Sequence, residues 1–136
     1  MSQSLKLNLK KEIMFRKIIV YSTLSIALIA TLYFAIIYNA TYSDGERSGE
    51  LIKFSRKGVV FKTYEGEISQ GISGAKMFNF SVLDNDANVI EQLKLLQGQY
   101  VKVTYIERYG TFPWWGDSQY FVTKAVKEKS PHSFTN

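Results

Sequence analysis

From Ile18 to Tyr38 the chain reads IIVYSTLSIALIATLYFAIIY, twenty-one residues without a charge. At 1.5 Å rise per residue such a helix is about 31 Å long, enough to cross the hydrocarbon core of a bilayer. The pattern predicts a transmembrane helix over 18–38, preceded by a basic tail over 1–17. Beyond it the apolar residues recur in short periods that belong to strands and one amphipathic helix.

Residues 42–49, YSDGERSG, switch to turn formers and charges, so a linker is predicted over 39–49. A strand is expected over 50–55 (ELIKFS), a tight turn over 55–58 (SRKG), and a longer strand over 59–68 (VVFKTYEGEI) in which Gly66 marks a bend. Residues 69–75 read as a flexible connection. In the third strand, 76–83, Phe78, Phe80 and Val82 alternate with Met77, Asn79 and Ser81, the signature of a half-buried strand. Asn88 is placed to cap a helix over 89–96, with Glu91 at its third position and Gly98 as its stop. Val89, Ile90, Leu93 and Leu96 form its apolar stripe. Strands follow over 100–107 and 119–126, joined by RYGTFPWWGDS, and the tail 128–136 has no apolar period.

Three strands, a helix and two strands is the order of the OB-fold, a five-stranded barrel with its helix between the third and fourth strands. The expected fold is therefore one N-terminal transmembrane α-helix and a small mainly-β domain, an OB-like barrel over 50–127. An SH3-like barrel or an open β-sheet with one helix ranks behind it; the helix position decides, because SH3-like barrels do not usually carry one there. Only about 85 to 90 residues are left to fold in water, enough for a single small domain.

Charge sharpens this picture. The net charge of +5 is concentrated at the start, where Lys6, Lys10, Lys11, Arg16 and Lys17 face one Glu12. Residues 18–136 are nearly balanced, with 12 basic and 11 acidic side chains. A basic flank favours the cytoplasmic side, so the N-terminus is expected inside and the domain outside, at the inner membrane of a bacterial cell. Translation from Met14 would leave Arg16 and Lys17, and the same orientation. A cleaved signal peptide is disfavoured, because the apolar core is long and Tyr38 and Tyr42 occupy positions where cleavage wants small residues. The absence of cysteine agrees with an oxidising compartment.

Candidate chemistry is sparse. Pro113, Trp114 and Trp115, with Asp117 close behind, occupy the connection that walls the ligand groove in many OB-folds. The indoles can stack on a base, sugar or peptide or settle among lipid headgroups; the plainer reading is that they cover the barrel and its loop. Arg56, Lys57 and Lys62, with Lys53, make the first hairpin basic, and Phe54, Phe61 and Tyr64 interleave with them. That pattern imitates a single-strand nucleic-acid surface. The neutral domain and the compartment argue instead for a solvated hairpin, or one touching headgroups or a protein, and no nucleic acid is expected. Glu65 and Glu67 share one side of a strand about 7 Å apart, a spacing usable for acid–base work. The one histidine, His132, lies in the tail, and no metal, nucleophile-elbow or phosphate-loop motif is present, so no enzyme activity and no cofactor are expected. Along the membrane helix Thr23, Ala27, Thr31 and Ala35 repeat every four residues, a stripe that allows close helix approach and homo-oligomers, or that belongs to a plain anchor.

The segments YSDGxRxG over 42–49, KFSRKG over 53–58, KTYEGE over 62–67 and PWWGD over 113–117, with Tyr120, Val122 and Thr123, resemble an uncharacterised family of small single-span bacterial membrane proteins. Some of its members carry the label 6-phosphogluconate dehydrogenase. This chain has no dinucleotide-binding glycine pattern and lacks the length for two such domains. The resemblance implies no catalytic residues. The expected role is an accessory protein that presents its barrel outside the cytoplasm to a membrane-protein partner or envelope component. A module binding peptide, glycan or lipid through the Trp114/Trp115 loop is the alternative.

Overall fold

A computed structural model describes residues 2–71 and 77–131. The chain divides into two compact units after Asn39. The first is one helix, α1 (Gln3–Asn39), long and apolar enough to cross a membrane. It begins well before the apolar run: the residues expected as a tail are helical from Gln3, because Leu, Lys and Glu are good helix formers and no Gly or Pro interrupts them. Its apolar side chains, such as Ile26 and Ile29, are exposed.

The second unit contains β1 (Thr41–Lys57), β2 (Thr63–Ser69), β3 (Met77–Val82), α2 (Ala87–Leu95), β4 (Tyr100–Arg108) and β5 (Tyr120–Lys127). The ladders run β1-β2-β3-β5-β4 and close on themselves. Every pairing is antiparallel except the short one between β3 and β5.

Closure depends on β1, which serves two ladders. Its first part pairs with β4, from Thr41 opposite Arg108 to Glu50 opposite Tyr100. Its second part pairs with β2, from Glu50 opposite Ser69 to Lys57 opposite Thr63. Near the start of the second ladder, between Leu51 and Lys53, the register slips at Ile52, which is exposed. Such a bulge bends a strand and reverses the sides its later residues face. Gly49 sits at this corner, where a Cβ would stand 2.5 Å from the Ile68 side chain and closer still to the Ser69 carbonyl oxygen.

The predicted linker is therefore strand, and the predicted barrel starts about ten residues too late. Residues 41–49 look like a linker because the positions opposite Tyr105, Val103 and Val101 are Gly45, Arg47 and Gly49. A Cβ on Gly45 would meet the Tyr105 hydroxyl at 2.9 Å, so the space a side chain would fill is taken by Tyr105. Arg47 lays its guanidinium 4.6 Å from the Phe78 ring centre. The second strand is also shorter than expected: it starts at Thr63, and 58–62 is loop. No bulge falls at Gly66, since β2 pairs with both neighbours in regular register across it. Its bare backbone instead receives the Phe80 ring.

Inside lie Leu51, Phe54, Ile68, Phe80, Val82, Val101, Val103 and Val122, all buried. α2 adds Val89, Ile90 and Leu93 to this core. It starts at Ala87, two residues earlier than expected, and its N-cap is Asp86 rather than Asn88. The Asp86 amide closes a turn onto the Leu83 carbonyl, and the Ile90 amide then bonds the Asp86 carbonyl, which fixes the helix start. Gly98, with φ of 77°, follows its end as the stop. The ladder continues one step into the predicted tail, as the Glu128 amide donates to the Tyr100 carbonyl at 3.0 Å. His132 and Lys76 lie outside the described residues.

Gly49→Ala should lower the melting temperature of the domain more than any alanine substitution on its wet face. Overpacking of this kind costs about 1 to 3 kcal/mol, or roughly 4 to 8 °C for each kcal/mol in a domain this small. A thermal melt unchanged within error would show that the corner does not constrain the fold.

Candidate functional site

Because the bulge at Ile52 reverses the alternation of β1, Phe54 points inward and Lys53, Ser55 and Lys57 take the outer side. The registers then set Lys53 opposite Glu67 and Ser55 opposite Glu65. On the next strand Glu65 faces Ser81 and Glu67 faces Asn79. The outer face of β1, β2 and β3 is thus a patch of lysine, glutamate, serine and asparagine, and the β4–β5 loop (109–119) folds over part of it.

Glu65 fastens that loop. It is buried, and its carboxylate accepts three hydrogen bonds: from Thr63 Oγ1 at 2.7 Å, from Ser81 Oγ at 2.6 Å and from the Asp117 amide at 3.0 Å. Ser81 Oγ in turn accepts from the Ser118 amide at 3.0 Å. The Ser118 hydroxyl donates to the Asn79 carbonyl at 3.0 Å and accepts from the Tyr120 amide at 3.1 Å. Gly116 makes the approach possible, since a Cβ there would stand 3.1 Å from Glu65 Oε1 and collide with Ser81. A carboxylate satisfied in this way is stable where it is buried, and one of its oxygens also holds the loop.

Beside this clasp a cavity of about 280 Å³ is lined by Lys53, Lys57, Glu67, Asn79, Asp117 and Ser118 among others. Lys57 Nζ lies 3.1 Å from Asp117 Oδ2. The hydrogen bond to Asp117 raises the Lys57 ammonium above its ordinary pKa. Both partners are more than half exposed, so the pair orients the loop more than it stabilises it.

The loop divides its two indoles between different tasks. Trp115 is half-buried and meets Phe121 of β5 edge-on at 6.1 Å, with the Arg108 guanidinium 4.8 Å from the indole and 5.5 Å from the Phe121 ring. Trp114 is exposed, stacks on Phe112 at 4.8 Å and meets Phe61 of the β1–β2 loop (58–62) at 6.1 Å. The two loops therefore join. Beside that contact Val59 is 99% exposed and Val60 84%.

Of the residues singled out by sequence, Lys57 and Asp117 meet at the cavity, and Trp114 and Trp115 lie on the same loop as Asp117. Pro113 is exposed at its turn. Arg56 does not join them: it lies opposite Tyr64 with its guanidinium 5.5 Å from that ring. Lys62 is exposed in the β1–β2 loop. Glu65 and Glu67 both line the cavity, and Glu65 in addition accepts hydrogen bonds from three donors. On α1, Thr23 and Thr31 donate to the carbonyls of Ile19 and Ala27 at 2.8 Å, which satisfies their hydroxyls within the helix; Ala27 and Ala35 are exposed.

Sequence reasoning missed Thr63 and Ser81 as partners of Glu65, and it placed Val59 and Val60 in a strand. Ser81 follows the alternation that put it on the wet face, and nothing local says that a loop 30 residues later covers it. Among the described residues no group of three or more His, Asp or Glu side chains could hold a metal ion.

Residues 40–132 match the family described as "Domain of unknown function (DUF8785)". No curated protein and no solved structure matches the chain.

Glu65→Ala strands two buried hydroxyls and one amide, and should destabilise the domain by about 2 to 4 kcal/mol. Amide exchange at Asp117 and Ser118 should accelerate more than at Val101 or Val103. Uniform acceleration would mean that Glu65 supports the whole barrel rather than the loop.

Proposed function

The chain belongs to the family described as "Domain of unknown function (DUF8785)", and from that premise we propose that it is a membrane-anchored interaction protein. In this reading α1 spans the inner membrane with its basic end in the cytoplasm, and an OB-like barrel binds a membrane-protein partner or envelope component outside. The order of the ladders, with β3 and β5 parallel and α2 between β3 and β4, supports the OB-like reading. The basic residues before the span, and none between Asn39 and Asp44, support the orientation.

The observation that carries the interaction role is the exposed apolar tip where the two loops meet. Val59, Val60, Phe61 and Trp114 present large apolar side chains to solvent on neighbouring loops. Contiguous apolar surface on a small domain marks a contact site. Lys57 and Lys62 flank the tip and give it a polar rim of the kind seen at protein interfaces.

A second reading has an observation of its own. The cavity beside the Glu65 clasp is lined by two ammonium and three carboxylate groups, Lys53, Lys57, Glu65, Glu67 and Asp117, with Asn79 and Ser118 beside them. Such a lining suits a peptide or glycan, and Trp114 lies on the loop that walls it.

A photoreactive residue at Val59 in the full-length protein in cells should give a discrete protein adduct, and one at the exposed Lys124 should not. Val60→Asp should abolish that adduct while shifting stability by no more than about 0.5 kcal/mol. Equal adducts from both positions would refute the tip as an interface. For the second reading, a peptide or glycan that quenches tryptophan fluorescence should lose its effect with Trp114→Ala and lose affinity with Lys53→Glu; quenching indifferent to both would dismiss the cavity.

A further inference from the structure

Tyr42 and Tyr109 have no part in the core or the cavity. Tyr64, Tyr105 and Tyr120 pack against the barrel core, whereas Tyr42 and Tyr109 are 63% and 56% exposed. Their rings meet edge-on at 5.3 Å. The pairing of β1 with β4 brings them together, since Thr41 at the start of β1 lies opposite Arg108 at the end of β4.

Chain length says what lies near them. Three peptide units separate Asn39, the last residue of α1, from Tyr42. Their Cα atoms are therefore no more than about 11 Å apart, whatever angle the two units adopt. The apolar run of α1 ends at Tyr38, an exposed aromatic of the type that sits at a bilayer's headgroup level. A tyrosine four residues beyond it, and a second in ring contact, are held within reach of the same layer. Tyrosine suits that layer because its ring is apolar and its hydroxyl stays hydrated.

We infer that Tyr42 and Tyr109 seat in the headgroup layer of the bilayer that α1 crosses, so that the barrel rests on the membrane through an aromatic pair as well as through its tether. This rests on α1 being a membrane span. The β4–β5 loop starts at Tyr109, so a lipid contact there also ties the base of the loop that carries Trp114.

The chain has no cysteine, so single nitroxide labels can be placed by Leu28→Cys, Tyr109→Cys and Lys124→Cys in the full-length protein. The host is a nanodisc of phosphatidylethanolamine and phosphatidylglycerol without other protein. Accessibility to oxygen and to a nickel chelate should place the Leu28 label in hydrocarbon, the Tyr109 label at headgroup depth and the Lys124 label in water. A Tyr109 label that reads like Lys124, with Leu28 in hydrocarbon, overturns the seat and leaves the span standing. A Leu28 label in water overturns both. In the unsubstituted protein, a lipid with a nitroxide headgroup should broaden the ring resonances of Tyr42 and Tyr109 several-fold more than those of Tyr105 and Tyr120. Equal broadening overturns the seat even if the cysteine variant misfolds.

Discussion

The structure depends on one strand belonging to two ladders. β1 is 17 residues long, and it can pair with β4 at one end and β2 at the other only by turning between them. The turn needs a residue left out of the pairing and a place where two backbones nearly touch. Ile52 provides the first and Gly49 the second. Closure leaves few unpaired strand edges, which matters for a domain too small to bury much apolar surface.

The same bulge decides the chemistry of the outer face. By reversing which side β1 presents, it puts Lys53 and Lys57 beside Glu67 and Glu65 and returns Phe54 to the core. Glu65 then accepts from Thr63 and Ser81 within the sheet and from the Asp117 amide of the β4–β5 loop, which it holds. With the loop fixed, Trp115 packs over Phe121, and Trp114 meets Phe61 beside the exposed Val59 and Val60. The cavity and the exposed tip are consequences of barrel closure, not features of a free loop.

The two carboxylates two residues apart on β2 line the same cavity, and they differ in how they are held. Both oxygens of Glu65 accept bonds from donors of the protein. The cavity has a zwitterionic lining in which Lys57 pairs with Asp117, and the tip is apolar and exposed.

The sequence by itself determined the helix able to cross a membrane, the strands near 77–82, 100–108 and 120–127, the amphipathic face of α2 and its stop at Gly98. Each is written in local periodicity or in one residue's backbone preference. Only the tertiary structure decided that residues 41–49 form a strand, because Gly45 and Gly49 are small to admit Tyr105 and Ile68, which lie far along the chain. It also decided that β2 begins at Thr63, leaving Val59 and Val60 in water, and that Ser81 and Glu65 lie under a loop. Those facts follow from register and closure, and a one-residue slip in register reverses every side chain without changing the local pattern.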